Sequence, residues 1–298
     1  MSTSGARWPI SCRRGHPGSH VLTLGEVLRR TTTYLGERGS SSPRLDADLL
    51  LAHALGMDRM QLYLEHDRPL TPAELEGARA LVGRRGNGEP VAYILGTKAF
   101  RNLNLRVTPD VLVPRPDTEI LVEWAIEAAP AGGSLLDWGT GSGAIALALA
   151  DERPDLSVLA IDASASACAV AAGNGMALGI AISVRQSDGF DAVSEQFDVI
   201  TANPPYLSDA ELERAPRELS FEPRSALTAG PGGLEILTRI VAEAPAHLRP
   251  GGWLLCEVGE QQGEAVADLL RRSEYGDVAL RNDLAGIARV VGGTRPSA

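Results

Sequence analysis

The sequence predicts an α/β protein with a mostly parallel sheet, preceded by a small helical domain. From Ser134 onward, short apolar runs alternate with helical stretches, as they do when crossover helices connect parallel strands. Between about Val21 and Gly88, apolar residues instead recur with the spacing of amphipathic helices. The chain of 298 residues is long enough for two domains, each with its own core.

The composition is that of an ordinary soluble protein, with 44% hydrophobic residues. No apolar run approaches the ~20 residues of a membrane span. The formal net charge of -10 disfavours a nucleic-acid backbone as the main partner, because clustered positive charge usually supplies much of that affinity. The three cysteines show no metal-ligand spacing and no evident disulfide pattern. We therefore predict no metal site and a cytoplasmic location.

The first twenty residues contain Arg7, Arg13 and Arg14 but no acidic residue. They lack the apolar core of a secretory signal. An Arg- and Ser-rich start without acids also fits a transit peptide. We favour a disordered extension over residues 1–20, or a start placed too far upstream.

Residues 21–88 predict a small helical domain. Pro43 suits the first position of a helix, and Gly56 suits its carboxyl-terminal cap. Thr71 and Glu74 have the spacing of a capping box. The region has no obvious catalytic group. It is either a packing module or, as we favour, a docking module for a macromolecular substrate.

Residues 89–115 predict a β-hairpin linker. Apolar and polar residues alternate over 103–107, which is the period of a strand, and residues 111–113 form a second short apolar run. Pro109 and Asp110 between the two runs predict a tight connection.

Residues 116–298 predict the α/β domain. Its seven strand candidates are residues 134–136, 158–161, 182–184, 199–201, 253–256, 278–280 and 287–291. Because helical stretches separate most of them, we expect a parallel sheet with helices on both faces. Open sheets of this kind bind ligands at the carboxyl ends of their strands, so the loops that follow the strands are the candidate site.

The first candidate loop follows strand 134–136 and precedes a helix. Its glycines allow a tight turn and a close approach to a ligand. They are spaced G-x-G-x-G after an acid, whereas the phosphate-binding form is G-x-G-x-x-G. The preceding acid suits a ligand with a positively charged amino-acid group better than a pyrophosphate. The candidate cofactor-binding residues of this loop are Asp137, Gly139, Thr140, Gly141, Ser142 and Gly143.

Two acidic residues follow the next two strands. Asp162 ends strand 158–161, where a carboxylate can accept hydrogen bonds from both hydroxyls of a ribose. An NAD-binding protein would use the same residue, and a helix cap is a compatible alternative. After strand 182–184, Asp188 could accept from an adenine amino group, and Gly189 and Phe190 could lie close to the ring. A turn of this composition is also common in proteins without such a ligand.

The most informative loop is Asn203-Pro204-Pro205-Tyr206, which follows a buried strand. The two prolines have no N–H, so the backbone offers mainly carbonyl oxygens. Asn203 adds a side-chain carbonyl and an amide. A rigid loop of acceptors suits a substrate that carries an NH2 group. Taken alone, the tetrapeptide would be a proline-rich turn.

Together these loops resemble those of a class I S-adenosylmethionine-dependent methyltransferase that acts on a planar nitrogen. Other segments resemble the HemK-type family, the glutamine N5-methyltransferases of peptide chain release factors. These segments are residues 89–96, 111–119, 222–223, 226–227, 250–253 and 283–286. The resemblance covers about Val21 to Gly293. It implies a Rossmann-like seven-stranded class I methyltransferase domain, preceded by the helical domain and the β-hairpin bridge.

The resemblance also implies roles for particular residues. It assigns residues 139–143, Asp162 and Asn203 to S-adenosylmethionine. It implies that the tetrapeptide binds the glutamine of the Gly-Gly-Gln loop of a release factor. The implied catalytic and substrate-binding residues are Asn203, Pro204, Pro205 and Tyr206. Phe100 and Arg115 are weaker candidates for substrate contact, each with an ordinary structural alternative.

Two positions depart from the family pattern. Trp138 stands where a smaller aliphatic residue is usual, and it could simply repack the glycine turn. Gly189 stands where many members have a tryptophan beside the adenine, so Phe190 could replace that contact.

Three alternatives remain open from the sequence. A methyltransferase acting on a ribosomal-protein glutamine is the main one. A DNA or RNA amino-methyltransferase is disfavoured by the net charge of -10. A non-catalytic cofactor-binding or scaffold protein is disfavoured by the intact Asn203 and glycine turn. We expect a monomer without a membrane partner.

Overall fold

The computed structural model describes Trp8 and residues 21–296. The predicted extension over residues 1–20 therefore lies, apart from Trp8, outside the described residues. The chain divides into two compact units, one ending at Gly96 and the other beginning at Thr97. Within the described part of the chain, no helix has both the length and the apolar character needed to cross a bilayer.

The first unit is helical. Its helices are α1 (Leu24–Glu37), α2 (Pro43–Leu55), α3 (Arg59–Leu64), α4 (Pro72–Gly86) and α5 (Val91–Leu95). Helix α2 packs against both α1 and α4, and its Leu50 and Leu51 are fully buried. The predicted capping box is confirmed: Thr71 Oγ1 accepts from the Glu74 N–H, and the Glu74 carboxylate accepts from the Thr71 N–H. A buried ion pair joins Arg85 Nε to Asp46 Oδ2 at 2.6 Å.

The second unit begins with a hairpin that differs from the predicted one. Strand β1 (Thr97–Phe100) pairs antiparallel with β2 (Leu103–Arg106), whereas the sequence paired 103–107 with 111–113. The run Thr97–Phe100 does not alternate between apolar and polar residues, so periodicity could not reveal it. Residues 111–113 form no strand. Val111 and Val113 are nevertheless buried, and the Val113 N–H donates to Glu222 Oε2.

The main sheet has seven strands, as predicted. The strands of this unit after the hairpin are β3 (Ser134–Trp138), β4 (Ser157–Asp162), β5 (Ser183–Gln186), β6 (Phe197–Ala202), β7 (Leu207–Ser208), β8 (Thr228–Gly230), β9 (Leu248–Glu257), β10 (Gly276–Asn282) and β11 (Ala288–Thr294). The order in the main sheet is β10-β11-β9-β6-β3-β4-β5. Strand β11 is antiparallel to its two neighbours and the other pairs are parallel; β7 and β8 form a separate short pair.

Helices cover both faces of this sheet. They are α6 (Glu119–Ala128), α7 (Ala144–Glu152), α8 (Ala165–Leu178), α9 (Asp209–Arg214), α10 (Glu235–Glu243) and α11 (Gly263–Arg272). The central strand β3 is buried on both sides: Leu135 belongs to the core cluster that includes α6 and α7, and Leu136 to the cluster that includes α10 and α11. Successive residues of a strand point to opposite faces, so this one strand anchors both layers. The parallel strands all end at one edge of the sheet.

Candidate active site

A cavity of about 450 Å³ opens at that edge of the sheet. It is lined by the loops after β3, β4, β5 and β6, by parts of segments 109–118 and 223–226, and by Ile236 and Arg239 of α10. The predicted residues that line it are Arg115, Gly139, Thr140, Gly141, Ser142, Asp162, Asp188, Gly189, Asn203 and Pro205. The structure therefore brings together the four loops that the sequence singled out.

The glycine turn forms one wall of the cavity. Gly139 has a φ of +70° and Gly141 a φ of +55°, a backbone conformation that side chains rarely adopt. No atom lies within 4 Å of a Cβ built at either position, so the backbone conformation, not crowding, explains these glycines. The Gly141 N–H donates to Asp162 Oδ2 at 2.9 Å. The turn and the end of β4 are thereby fixed to one another.

Asp162 is held by two backbone N–H groups. Besides the bond from Gly141, Asp162 Oδ1 accepts from the Ser164 N–H at 2.9 Å. Asp162 is not the cap of α8, which was its alternative role; the cap is Ser164, whose side chain accepts from the Ala167 N–H. A carboxylate oxygen can accept more than one hydrogen bond, so Asp162 keeps capacity for hydroxyl donors in the cavity.

Asp137 lies beneath the turn and does not line the cavity. Its carboxylate accepts from the Thr140 hydroxyl at 2.6 Å and from the Thr201 hydroxyl at 3.1 Å. Burial raises its pKa to about 7, although both hydroxyls act in the opposite direction. Asp137 thus ties the turn to β6. Gly143, the last predicted residue of the turn, packs against α7 and α8.

Asn203 stands at the end of β6, facing the cavity. Its Nδ2 donates to Thr118 Oγ1 at 3.1 Å. Its Oδ1 is buried and has no hydrogen-bond partner among the described residues. Buried carbonyl oxygens are nearly always paired in folded proteins, so this unpaired oxygen is the candidate acceptor for a donor on a bound ligand. Pro205 also lines the cavity, whereas Pro204 and Tyr206 do not.

Behind Asn203 lies a buried carboxyl group that sequence reasoning missed. Glu257 ends β9, the strand next to β6 in the sheet. Burial raises its pKa to about 7, while the nearby side chains of Thr118 and Asn203 and the charge of Arg289 oppose the shift. No periodicity or motif marks Glu257. Thr118 lies in segment 111–119, which carries the family resemblance, but no role in the site was predicted for it. Only the pairing of β6 with β9 and the entry into α6 bring them to Asn203.

Glu222 is a second buried carboxyl, and it holds the segment that contains Val113 and Arg115. Its side chain is fully buried. One oxygen accepts from the Val113 N–H at 3.0 Å and the other forms an ion pair with Arg115. Arg115, a predicted substrate contact, therefore lines the cavity as one half of an ion pair. Glu222 lies in a segment that carried the family resemblance, but its role was not predicted.

Besides Asp137, Gly143 and Pro204, three predicted aromatic residues lie outside the cavity. Phe100, the last residue of β1, is buried in the core cluster that includes α6 and α7. Phe190 is buried and stacks on His247, with 4.6 Å between the ring centroids. Tyr206 is largely buried, and burial raises the pKa of its hydroxyl to about 12. The structure does not bring these three side chains to the cavity.

Gln262 connects the tetrapeptide loop to two other segments. Its Nε2 donates to the Tyr206 carbonyl at 2.8 Å and to the Gly233 carbonyl at 3.2 Å. Its Oε1 accepts from the Gly259 N–H at 3.0 Å. One side-chain amide therefore sets the position of the loop that carries Asn203.

Two family models match the chain. Residues 26–96 match the PrmC N-terminal domain, and residues 116–235 match the methyltransferase small domain. A release factor glutamine methyltransferase of Geobacter sulfurreducens is 43% identical over 275 residues, which cover 92% of this chain and 97% of that relative. One of Salmonella typhimurium is 45% identical over 259 residues, which cover 86% and 94%.

A solved structure supports the fold. The methyltransferase from Pyrococcus furiosus aligns with a TM-score of 0.51 at 19% identity, covering 74% of this chain and 98% of that one. At this identity the similarity concerns the fold alone.

Proposed function

Because the chain belongs to the release factor glutamine methyltransferase family, we propose that it methylates the side-chain nitrogen N5 of a glutamine. The methyl donor is S-adenosylmethionine. The substrate is the glutamine of the Gly-Gly-Gln loop of a peptide chain release factor. The observation that carries the proposal is the buried Asn203 Oδ1, an acceptor without a partner among the described residues, at the edge of the cavity.

The residues of the cavity fit S-adenosylmethionine. Asp162 is fixed by two N–H groups and can accept from ribose hydroxyls. The turn from Gly139 to Ser142 lines the cavity with backbone and small side chains, which leaves room for the amino-acid part of the cofactor. When bound, S-adenosylmethionine supplies an electrophilic methyl group.

The tetrapeptide loop prepares the acceptor nitrogen. An amide nitrogen is a weak nucleophile because its lone pair is conjugated with the carbonyl. A hydrogen bond from the substrate NH2 to Asn203 Oδ1 would hold the nitrogen and raise its electron density. The sequence predicts the same role for the Pro204 carbonyl, but Pro204 does not line the cavity. Orientation of this kind can lower a barrier by ~7 kcal/mol in favourable cases. Since the nitrogen becomes acidic as it gains the methyl group, the reaction needs no strong general base.

Labelled S-adenosylmethionine tests the proposal directly. The protein is incubated with a release factor, either native or with the loop glutamine changed to alanine. We expect label in the native factor only. Label that persists in the alanine variant would refute the assignment, and label in a ribosomal protein in place of the release factor would favour the main alternative.

Replacing Asn203 tests the orienting role. Asn203→Ala should lower kcat on the order of 10²-fold, as the loss of one well-placed polar group does in other active sites. The affinity for S-adenosylhomocysteine, measured by calorimetry, should change much less. Equal losses of turnover and cofactor affinity would contradict the orienting role.

The helical unit is proposed to dock the release factor. Met60 and Leu64 on α3 are 69% and 78% exposed. Exposed apolar side chains that lie together often mark an interaction surface.

The monomeric state expected from the sequence is tested by light scattering.

A further inference from the structure

The guanidinium of Arg239 lies directly against Gly189 at the rim of the cavity. Gly189 has a φ of +58°, and a Cβ built there would lie 2.5 Å from Arg239 Nη2 and 2.9 Å from its Cζ. The guanidinium of Arg239, which reaches over from α10, therefore occupies the space where a side chain at 189 would begin. Both residues line the cavity.

The guanidinium is held on two sides. Arg239 Nη1 donates to Asp188 Oδ1 at 2.8 Å, and Nε donates to Glu243 Oε1 at 3.0 Å. Nη2 lies 3.4 Å from the Asp188 carbonyl oxygen. These ion pairs are partly exposed, and such pairs add little to the stability of a protein. Together they keep the guanidinium beside Gly189 at the rim of the cavity.

The order of the strands indicates what this part of the cavity receives. The sheet runs β3-β4-β5, so the glycine turn, Asp162 and residues 187–189 follow one another along its edge. If the amino-acid group lies at the turn and the ribose at Asp162, the base lies beside Gly189. Phe190, the aromatic residue next to it in sequence, is buried against His247 and points elsewhere.

We propose that the guanidinium of Arg239 packs against the adenine of the bound cofactor. Arginine stacks on aromatic rings through its plane and its charge, which a glycine at 189 permits and a larger residue there would prevent. This inference rests on the proposed function, because it requires a cofactor with an adenine base. It replaces the expected contact from Phe190.

Calorimetric titration with S-adenosylhomocysteine and with S-ribosylhomocysteine, which lacks the base, tests the contact. Arg239→Ala should weaken S-adenosylhomocysteine binding about 3- to 30-fold. It should leave the affinity for S-ribosylhomocysteine, followed by NMR, unchanged. The control is Arg185→Ala, because Arg185 has similar exposure and pairs with Glu195 but does not line the cavity. The control should bind both ligands as the wild type does.

The outcomes separate this inference from the proposed function. Wild-type protein that fails to bind S-adenosylhomocysteine would refute the function itself. Wild-type protein that binds, with Arg239→Ala binding equally well, would overturn only the Arg239 contact. Equal weakening of both ligands by Arg239→Ala would also overturn it, because the effect would not depend on the base. Thermal unfolding of each variant verifies that the fold is intact.

Discussion

Replacing Thr118 by valine should impair turnover without unfolding the protein. Thr118 is only 4% exposed, and its hydroxyl accepts the 3.1 Å hydrogen bond from Asn203 Nδ2. Valine has nearly the same shape but no acceptor. The substitution therefore removes one of the contacts that make Asn203 present its oxygen, and not its NH2, to the substrate; Glu257, which also interacts with the Asn203 side chain, stays in place.

The size of the effect follows from the buried amide. Leaving a buried donor without its partner costs about 1–3 kcal/mol. If the whole cost falls on the orientation of Asn203 in the transition state, kcat decreases about 5- to 150-fold. A rotated amide would place its NH2 against the NH2 of the substrate, so binding of the cofactor should suffer much less than turnover.

The assay compares Thr118→Val with Thr118→Ser, which keeps the hydroxyl. Initial rates with labelled S-adenosylmethionine give kcat for the release factor, and calorimetry gives the affinity for S-adenosylhomocysteine. Thr118→Ser should retain most of the activity. A valine variant within twofold of the wild type, or a serine variant that is equally impaired, would refute the reasoning, because the methyl group and not the hydroxyl would then matter.

Three further predictions concern the buried carboxyls and the helical unit. Burial raises the pKa of Glu257 from 4.5 to about 7. The native state therefore binds a proton that the unfolded chain releases, and stability falls as the pH rises between these values, by about 3 kcal/mol in total. In Glu257→Gln, the difference between the free energies of unfolding measured in urea at pH 5 and at pH 8 should be smaller than in the wild type. An unchanged difference would contradict the assignment. Glu222→Gln should lower the free energy of unfolding by about 2 kcal/mol, because Arg115 loses its partner but is partly exposed. Its urea midpoint would equal that of the wild type if the ion pair were unimportant. Changing Met60 and Leu64 together to glutamate should raise KM for the release factor about tenfold with kcat unchanged, and an unaltered KM would exclude this surface from docking.

The sequence predicted those parts of the site that local chemistry marks. Glycines at positive φ, two consecutive prolines and an acid at a strand end are signals that lie within a few residues of one another. They led to the glycine turn, Asp162 and Asn203, all of which the structure brings to one cavity. The seven-stranded sheet was predictable for the same reason, since alternation of strands and helices is a local pattern.

The residues behind the site were not predictable in this way. Thr118 is 85 residues from Asn203 along the chain and meets it only in the fold. Glu257 reaches the same place through the pairing of β6 with β9. Phe190 was placed beside the adenine from its sequence neighbours, but the turn at Gly189 directs it into the core instead. Long-range pairing and side-chain direction decide these positions, and neither follows from spacing.

Gln262 has a consequence for engineering. Its single amide joins the Tyr206 carbonyl, the Gly233 carbonyl and the Gly259 N–H. The acceptor loop therefore depends on two other segments for its position. A designer who transplants Asn-Pro-Pro-Tyr into another sheet of this class must also transplant the turn before α11 and the segment around Gly233. Without them, the four residues would be present but the loop that carries Asn203 would lose the hydrogen bonds that position it.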